Sequence, residues 1–482
     1  MNPDVLVPAM FASLILALLA GFPVAFSIAA VAALFGAIGI ATGHFEPPFL
    51  LAMQFRIEGF FRNENLLSIP LFLLMGMLLE RTRIAEDMLH ALDRLFGAIR
   101  GGMAYTAVLV GASIAAITGF VSASVIAIGL IALPAMLKKG YDPKLATGVV
   151  AASGTLAQIL PPSIVLIVLA DQLEVLLLDI YRGVLLPSAL LILLYLLYIA
   201  LFTRLRPQSA PAGVAGPRAA MAALGAWRAA AVAAGFPLGI ILLVLASIYF
   251  GFATPTEGGA VGVAGTLLLG AARRKLDLRN LRQAMETTGI LCSCVLFLLF
   301  GASFFTLVLR GLEGQEWIES LFSHIPAGQI GFLIFVNIAI FCLAFFLDFF
   351  EIAFIVLPLV EPVARKMGID MTWFAVLIAV NLQTSFMHPP FGIALYNLRS
   401  IAPASVRTSQ IYWGAVPFVI IQLVMVAILI AVPDIVLKNA SLSATGDIQM
   451  EFPTLEPEAG PSPQQDYEGG GAAVPEAGQK DR

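Results

Sequence analysis

Long apolar segments dominate this chain, and its polar residues are concentrated in the short stretches between them. A stretch rich in Pro, Ala, Gly and Arg from about 204 to 228 divides the segments into two sets. The first set covers roughly 5–20, 23–42, 66–80, 102–137, 145–170 and 181–203. The second covers roughly 231–250, 257–272, 288–309, 330–365, 373–398 and 409–432. Apolar runs of about 18 residues or more are typical of membrane-spanning helices, so the pattern predicts an all-α polytopic membrane protein.

The two sets share short sequence matches that occur in the same order. The matches join Gly21 to Gly251, Leu71 to Leu296, Leu133 to Leu357, Gly140 to Gly368 and Pro161 to Pro389, at offsets between 224 and 230. A single match is common in a chain rich in Leu and Phe, but five in order at a nearly constant offset are not. The sequence therefore predicts an internal duplication.

The last of these matches lies in two polar stretches that interrupt apolar segments. SGTLAQILPPSI runs from Ser153 to Ile164, and NLQTSFMHPPFG runs from Asn381 to Gly392. Each Pro-Pro pair breaks a segment long enough to cross a bilayer. Backbone groups released at that depth must be buried in protein or line a cavity, because lipid offers them no hydrogen bonds. Two breaks at matching positions of two halves predict the binding site of a secondary transporter.

The distribution of charge predicts the topology, because short cytoplasmic loops collect Lys and Arg. The basic loops are 81–101, 138–144, 204–228, 273–282 and, more weakly, 399–407; the acidic stretches are 171–179, 313–319 and the tail beyond Asp434. Basic loops flank segment 102–137 on both sides, so it is predicted to enter and return as a hairpin that turns near Thr118–Gly119. Its counterpart, 330–365, is predicted to turn near Asp348 from the outer side.

Each half then has five crossings and one re-entrant hairpin. Five is odd, so the second half is predicted to be inverted relative to the first, with both termini on the outer side. The predicted units are a first repeat (1–204), a cytoplasmic linker (205–229), a second repeat (230–433) and a disordered tail (434–482). Segments 47–62, 84–98 and 276–287 are predicted either as interfacial helices or as ordinary short loops.

Composition supports a membrane protein and gives no sign of a nucleic-acid-binding protein or an enzyme. The chain is 60% hydrophobic and 12% charged, with a net charge of -4, and no basic cluster with interleaved aromatic residues suggests nucleic acid. Its three cysteines lie in apolar segments and are interpreted as small core residues. No zinc-protease, phosphate-loop or nucleophile-elbow motif is present, so we expect no enzyme and no cofactor other than a coupling ion.

A transported cation needs oxygen ligands, and the hairpin tips and helix breaks offer them. The candidate ion-binding residues are Thr118, Gly119, Ser122, Ser124, Ser153, Gly154, Thr155, Asp348, Asn381, Gln383 and Thr384. The candidate substrate-binding residues are Ser122, Pro161, Pro162, Glu351, Asn381, His388 and Pro389. Other hydroxyl groups nearby, such as those of Ser113 and Ser163, are interpreted as packing or as bonding to the preceding helical turn.

Some of these residues have a second interpretation. An acidic residue at the bilayer centre costs roughly 2.5–3.5 kcal/mol on insertion scales, so Asp348 is predicted to face a cavity or a partner. Alternatively, the hairpin tip lies near water, or Glu351 is kept protonated by its surroundings. His388 is either a proton relay or a helix-terminal residue satisfied by backbone. Thr254-Pro255-Thr256-Glu257 is interpreted as the start of a helix capped by Thr254.

Five strings resemble the large membrane subunit of TRAP transporters, the DctM-like permease of tripartite ATP-independent periplasmic systems. They are GFPVAFSIA (21–29), LLSIPLFLLMGMLLE (66–80), AASGTLAQILPPSI (151–164), ATPTEGGAVG (253–262) and VNLQTSFMHPPFG (380–392). The resemblance covers residues 5 to 432. It implies a sodium-coupled importer of organic anions in the bacterial inner membrane, multi-pass and with periplasmic termini, that works as an elevator-type transporter of the ion-transporter superfamily.

The resemblance also implies partners: a small four-span membrane subunit and a periplasmic binding protein that delivers an organic acid. The family's Asp at the second hairpin tip falls on Asp348. The usual family form continues with small polar residues, whereas Phe349, Phe350 and Glu351 follow here, which leaves the second ion site open. The alternatives are a stand-alone divalent-anion symporter, proton coupling, and a membrane-embedded enzyme.

Overall fold

The structure, a computed structural model, describes residues 3–81, 87–89, 92–93, 96, 99–211, 235–274, 276–323, 328–389 and 392–440. Regular structure in these ranges is helical, without a strand. The helices before the linker are α1 Pro3–Leu19, α2 Val24–Ala41, α3 Ala52–Arg62, α4 Glu64–Arg81, α5 Gly102–Thr118, α6 Val121–Lys138, α7 Pro143–Thr155, α8 Ile164–Gln172 and α9 Leu177–Leu205. Short 3₁₀ helices cover Pro47–Leu51, Leu156–Gln158 and Pro207–Ser209.

Eleven described helices follow the linker. They are α10 Gly235–Tyr249, α11 Pro255–Ala272, α12 Leu278–Gly311, α13 Gly314–Ser323, α14 Gly328–Leu343, α15 Phe349–Glu351, α16 Leu357–Lys366, α17 Met371–Leu382, α18 Ile393–Ile401, α19 Thr408–Ala431 and α20 Asp434–Ala440. A π-helical turn, Ile352–Val356, joins α15 to α16, and a 3₁₀ helix covers Gln383–Met387.

The length and composition of these helices suit a membrane. In the described part, α2, α6, α9, α12 and α19 are each long and apolar enough to cross one, and α1, α5, α10 and α14 are shorter apolar helices. Leu193, Leu197 and Leu201 recur every four residues along α9, so they form one stripe. Each is more than half exposed. A continuous exposed Leu stripe is favourable only against an apolar solvent, which agrees with a multi-pass membrane protein.

Two turns interrupt the segments that the sequence predicts as hairpins. Between α5 and α6 the chain turns at Gly119, whose φ is +59°. Between α14 and α15 it turns over residues 344–347 and reaches Asp348, the N-cap of α15. The two turns thus lie at the predicted tips, Thr118–Gly119 and Asp348.

Each turn is followed by the same succession of elements. Asp142 caps the N-terminus of α7 by accepting a hydrogen bond from the Lys144 amide at 2.9 Å, and Asp370 caps α17 by accepting one from the Trp373 amide at 2.8 Å. Both helices then tighten into 3₁₀ turns and end at a Pro-containing break before α8 and α18. The matching GYD and GID strings are therefore helix starts, since Asp is a strong N-cap.

The structure corrects two predicted boundaries. Segment 276–287 is neither a separate interfacial helix nor a loop, because α12 begins after its N-cap Asp277 and continues for 34 residues. No Pro interrupts it, so the charged first turns stay hydrogen-bonded to the apolar part. Residues 434–440 of the predicted disordered tail form α20, where Val436 is fully buried near Gly183 of α9. Most of segment 84–98, linker residues 212–229 and tail residues 441–482 lie outside the described residues.

Three further interpretations have clear outcomes. The helix start at Thr254 is confirmed: its hydroxyl accepts from the Glu257 amide at 3.3 Å, and Glu257 accepts from the Thr254 amide at 2.9 Å. The assignment of the cysteines to the core is wrong for Cys294 and Cys342, whose side chains are exposed. Segment 47–62 contains the 3₁₀ turn and α3, so it is helical.

Candidate functional site

The first hairpin tip lies directly on the first helix break. A Cβ added to Gly119 would come within 2.6 Å of the Pro162 carbonyl oxygen, so only a glycine permits this approach. Next to it, the hydroxyl groups of Thr118 and Ser124 are 2.6 Å apart, and both residues are buried. That hydrogen bond ties the end of α5 to the start of α6, so it closes the tip whose Gly119 lies against Pro162.

The first break is closed by Ser163. Its hydroxyl donates to the Gln158 carbonyl at 2.6 Å and accepts from the Val165 amide at 3.2 Å, which caps α8. Pro161 and Pro162 lie buried inside this loop. The Gln158 side chain is fully buried, and its amide oxygen and nitrogen have no hydrogen-bond partner in the described part of the chain. A buried amide left in this way is costly, and a bound ion or water would normally satisfy it.

The second hairpin tip is built around two acidic residues. Asp348 accepts from the Glu351 amide at 3.2 Å, and the Glu351 carboxylate accepts from the Asp348 amide at 2.9 Å. This reciprocal pair is a capping box, which satisfies two backbone donors at the start of α15. Glu351 is 4% exposed, and of the two acidic residues only Asp348 lines the cavity described below.

Polar side chains of the second break are also buried. Asn381 donates to the Asn337 carbonyl at 2.8 Å and to its side-chain oxygen at 2.9 Å, which joins α17 to α14. The amide atoms of Gln383 and the hydroxyl of Thr384 have no hydrogen-bond partner among the described residues. Gln158 of the first break and these two residues thus present the same pattern: buried oxygens left for a ligand.

His388 closes the second break in a cage of aromatic rings. Its ring stacks on Phe345 with centroids 4.2 Å apart and meets the edge of Phe341 at 4.5 Å. Its carbonyl accepts from the Gly392 amide at 2.6 Å. Pro389 beside it is partly buried. The environment of His388 is therefore apolar and helix-terminal, and the side chain does not line the central cavity described next.

One cavity of about 180 Å³ is bounded by both tips and both breaks. Gly119 and Ser122 line it from the first tip, Asp348 from the second, and Phe386 from the second break. The remaining lining residues are Leu73, Phe120, Val121, Ile164, Val165, Leu291, Cys294, Val295, Leu298, Phe349, Phe350 and Ile393. Leu73 of α4 and Leu298 of α12 belong to the matching LFLLMG and LFLLFG strings, so equivalent strings of the two halves face one space.

The other candidate residues lie away from the cavity surface. Ser153 and Thr155 bond back to the carbonyls of Val150 and Ala152, at 3.1 and 2.9 Å, and both are fully buried. The remaining residues, none of which lines the cavity, are Thr118, Ser124, Gly154, Pro161, Pro162, Glu351, Asn381, Gln383, Thr384, His388 and Pro389. Most of the predicted polar residues therefore do not line the cavity.

Sequence reasoning missed a buried polar contact between α9 and α19. Gln422 of α19 donates to the Tyr195 hydroxyl of α9 at 2.9 Å, and its nitrogen lies 3.7 Å from the Met387 sulfur. Both polar residues are fully buried in apolar helices. A polar side chain inside a spanning segment is a signal of function or of helix–helix bonding, so these two positions could have been noted.

A separate, polar pocket of about 340 Å³ lies beside the acidic loop 171–179. Arg56, Arg310 and Asp171 line it, and Asn63 donates to the Asp171 carboxylate. Burial raises the pKa of Asp171 above its ordinary value, against the opposing effect of hydrogen bonds from Gln172 and Asn63. Burial, and then the charge of Arg310, lower the pKa of Arg56. Phe354 of the π-helical turn lines this pocket and stacks on Phe350, which lines the cavity, at 6.2 Å.

The donor set of the breaks suits a weakly bound hard cation. Hydroxyl, amide and carbonyl oxygens with one carboxylate are the ligands such ions take, whereas softer metals prefer His and Cys. In the described ranges no group of three or more His, Cys, Asp or Glu residues is placed to hold a metal.

Comparison with known proteins agrees with this architecture. The family model described as "Tripartite ATP-independent periplasmic transporter, DctM component" matches residues 11–435. The chain is similar to the C4-dicarboxylate TRAP transporter large permease protein DctM of Pseudomonas aeruginosa, with 28% identity over 81% of this chain and 90% of that protein. It is also similar to the ectoine TRAP transporter large permease protein TeaC of Halomonas elongata, with 24% identity over 78% and 86%.

Two other comparisons complete the picture. The sialic acid TRAP transporter permease protein SiaT of Haemophilus influenzae is 25% identical over 77% of this chain, which covers 59% of that longer protein. Among solved structures, the Alcanivorax borkumensis YdaH transporter superposes with a TM-score of 0.56 at 15% identity, covering 90% of this chain and 98% of that one.

The apolar helices suit a multi-pass membrane protein, and the family match defines a transporter component. More particularly, the chain belongs to the DctM family, the large permease component of tripartite ATP-independent periplasmic transporters.

Proposed function

We propose that this chain is the permease of a sodium-coupled importer of an organic anion in the bacterial inner membrane. Sodium binds at the tip-and-break clusters, the anion binds in the central cavity, and the two hairpins with their breaks move together as an elevator. The single observation that carries the proposal is the cavity itself. Asp348 and Ser122, from the tips of the two halves, line one space.

The unsatisfied atoms around the breaks support the ion sites. Gln158, Gln383 and Thr384 are fully buried and have side-chain atoms without hydrogen-bond partners in the described part of the chain. Each such group costs about 1–3 kcal/mol, so an ion that binds its oxygen recovers that cost. Asp348 supplies a carboxyl group on the cavity wall.

The proposed partners are a small membrane subunit and a periplasmic binding protein. The family description names a tripartite system of which this chain is one component. A relative named DctMQ, an isethionate permease, is longer than this chain, which covers 65% of it. The names of the relatives refer to C4-dicarboxylates, ectoine, isethionate and sialic acid, so family membership alone does not select the anion.

Replacing Asp348 by Asn tests the ion site. Asn is as good an N-cap as Asp, so Asp348→Asn removes the charge and keeps the hydrogen bond from the Glu351 amide. We expect sodium chloride to raise the unfolding temperature of the wild-type protein relative to choline chloride, because a ligand that binds the folded state stabilises it. The variant should lose that response and sodium-driven uptake.

Asp142→Asn is the matched control, since it makes the same change at an N-cap far along the chain from the cavity. It should keep the full sodium response. An Asp348→Asn protein whose sodium response equals that of the wild type contradicts the assigned ion site. Uptake by this chain alone in proteoliposomes would favour a stand-alone symporter.

A further inference from the structure

The central cavity is apolar in a way that the sequence analysis did not anticipate. Phe120 from the first tip, Phe349 and Phe350 from the second, and Phe386 from the second break all line it. The rings of Phe349 and Phe350 lie 4.8 Å apart at an angle of 56°. Aromatic rings from three separate elements therefore enclose one space, which is the arrangement of a pocket that binds an apolar body.

The volume of the cavity limits the size of that body. It measures about 180 Å³. A protein cavity of about 150 Å³ lined by Leu, Ile and Phe takes up one benzene molecule. A single ring or a short branched chain, with one small polar group, therefore fills this cavity.

Charge limits the solute further. The described lining residues include no Lys, Arg or His, and Asp348 is the carboxylate among them. A dianion would place a second charge against Phe rings without a partner, and an unpaired buried charge is strongly unfavourable. One anionic group can be accommodated when sodium, which the proposed function places at Asp348, offsets the charge of that carboxylate. The first turn of α6 opens onto the cavity at Val121 and Ser122. Its N-cap, Phe120, provides no side-chain hydrogen bond, so backbone amides remain available there.

We propose that the transported solute is a small monocarboxylate with an aromatic or branched apolar body, and that Phe120, Phe349, Phe350 and Phe386 select it. This substrate class rests on the proposed function, since it assigns the central cavity to the solute. Dicarboxylates and polyhydroxylated acids bind poorly, because the rings offer them neither hydrogen bonds nor a positive charge.

Benzoate and succinate are the probes that separate these classes. The purified full-length chain is heated in sodium chloride with each anion at equal sodium concentration. We expect benzoate to raise the unfolding temperature and succinate to leave it unchanged. Cys294 gives a local readout, because it lines the cavity, whereas Cys342 does not; both thiols are exposed. Benzoate should slow modification of Cys294 by N-ethylmaleimide in a Cys292→Ser, Cys342→Ser protein. Benzoate should not protect Cys342 in a Cys292→Ser, Cys294→Ser protein.

Phe350→Ala tests the role of the rings. Losing one ring face against the ligand should weaken benzoate binding roughly tenfold, by the usual free energy of apolar burial. Phe346→Ala is the matched control, because Phe346 lies on the same hairpin but is 58% exposed and does not line the cavity. It should change the affinity by less than about twofold, as surface substitutions usually do.

Preference for succinate, absence of any benzoate effect, or unchanged benzoate affinity in Phe350→Ala overturns the substrate class. Benzoate stabilisation without protection of Cys294 overturns it as well, since the ligand then lies elsewhere. The proposed function fails separately. If Asp348→Asn keeps the sodium response, the ion site is wrong whichever anion binds; if it loses that response and succinate is preferred, only the substrate class is wrong.

Discussion

Replacing Gly119 by Ala perturbs the contact between the first hairpin tip and the first break. Gly119 has a φ of +59°, and an added Cβ would lie 2.6 Å from the Pro162 carbonyl oxygen. A left-handed conformation costs Ala about 1–2 kcal/mol, of which about 0.4–1 kcal/mol is recovered from the less flexible unfolded chain. Moving the tip or the break apart to make room for the methyl group adds roughly 1–3 kcal/mol. The expected loss is therefore about 1–5 kcal/mol.

Gly140 provides a control that isolates the contact. Its φ is +84°, but a Cβ there would have nothing within 4 Å. Gly140→Ala thus pays for the backbone conformation alone, about 1 kcal/mol or less. The two variants should differ mainly by the cost of separating the tip from the Pro162 loop.

Thermal unfolding of the purified proteins, followed by tryptophan fluorescence with and without sodium, measures both effects. Gly119→Ala should unfold at a clearly lower temperature than Gly140→Ala and should respond less to sodium, because the displaced tip carries the candidate ligands. Equal unfolding temperatures for the two variants would refute the inferred contact. A full sodium response in Gly119→Ala would show that the contact does not shape an ion site.

Three further variants test other parts of the structure. Thr384→Val removes a buried hydroxyl that has no hydrogen-bond partner among the described residues. The sodium-free protein should therefore gain about 1–3 kcal/mol in stability, while its sodium-induced rise in unfolding temperature falls. Ser385→Ala removes a hydroxyl that donates to the Leu382 carbonyl, and it should not show these opposite changes. Tyr195→Phe strands the Gln422 amide and should lower stability by about 1–3 kcal/mol in thermal unfolding. Thr254→Ala breaks the capping box and should cost about 1 kcal/mol in the same assay, with sodium response unchanged.

Local signals predicted much of the backbone. The Pro-Pro pairs and the Thr254 cap each act within four residues, so pattern was sufficient to place those helix ends. The caps at Asp142 and Asp370 act just as locally, but the sequence analysis used their strings only as matches between the halves. The prediction for segment 276–287 was wrong because the segment contains no local signal that ends a helix. Its charges indicate an interface, but nothing in it stops the backbone hydrogen bonds of α12.

The site was predicted less completely, and Glu351 shows why. In the sequence it is a second acidic residue in an apolar segment. In the structure it closes the capping box with Asp348 and does not reach the cavity. A residue's spacing shows that two carboxylates are near each other, but not which of them bonds to backbone and which faces a ligand.

By itself, the sequence determined that this protein is a helical membrane protein with two matching breaks, because hydropathy, charge and proline act locally along the chain. Only the tertiary structure decided that Gly119 touches Pro162 and that most polar candidates do not line the cavity. It likewise decided that Phe120, Phe350 and Phe386 meet in one space. Those contacts join residues up to hundreds of positions apart, and they depend on packing geometry, which no local pattern encodes.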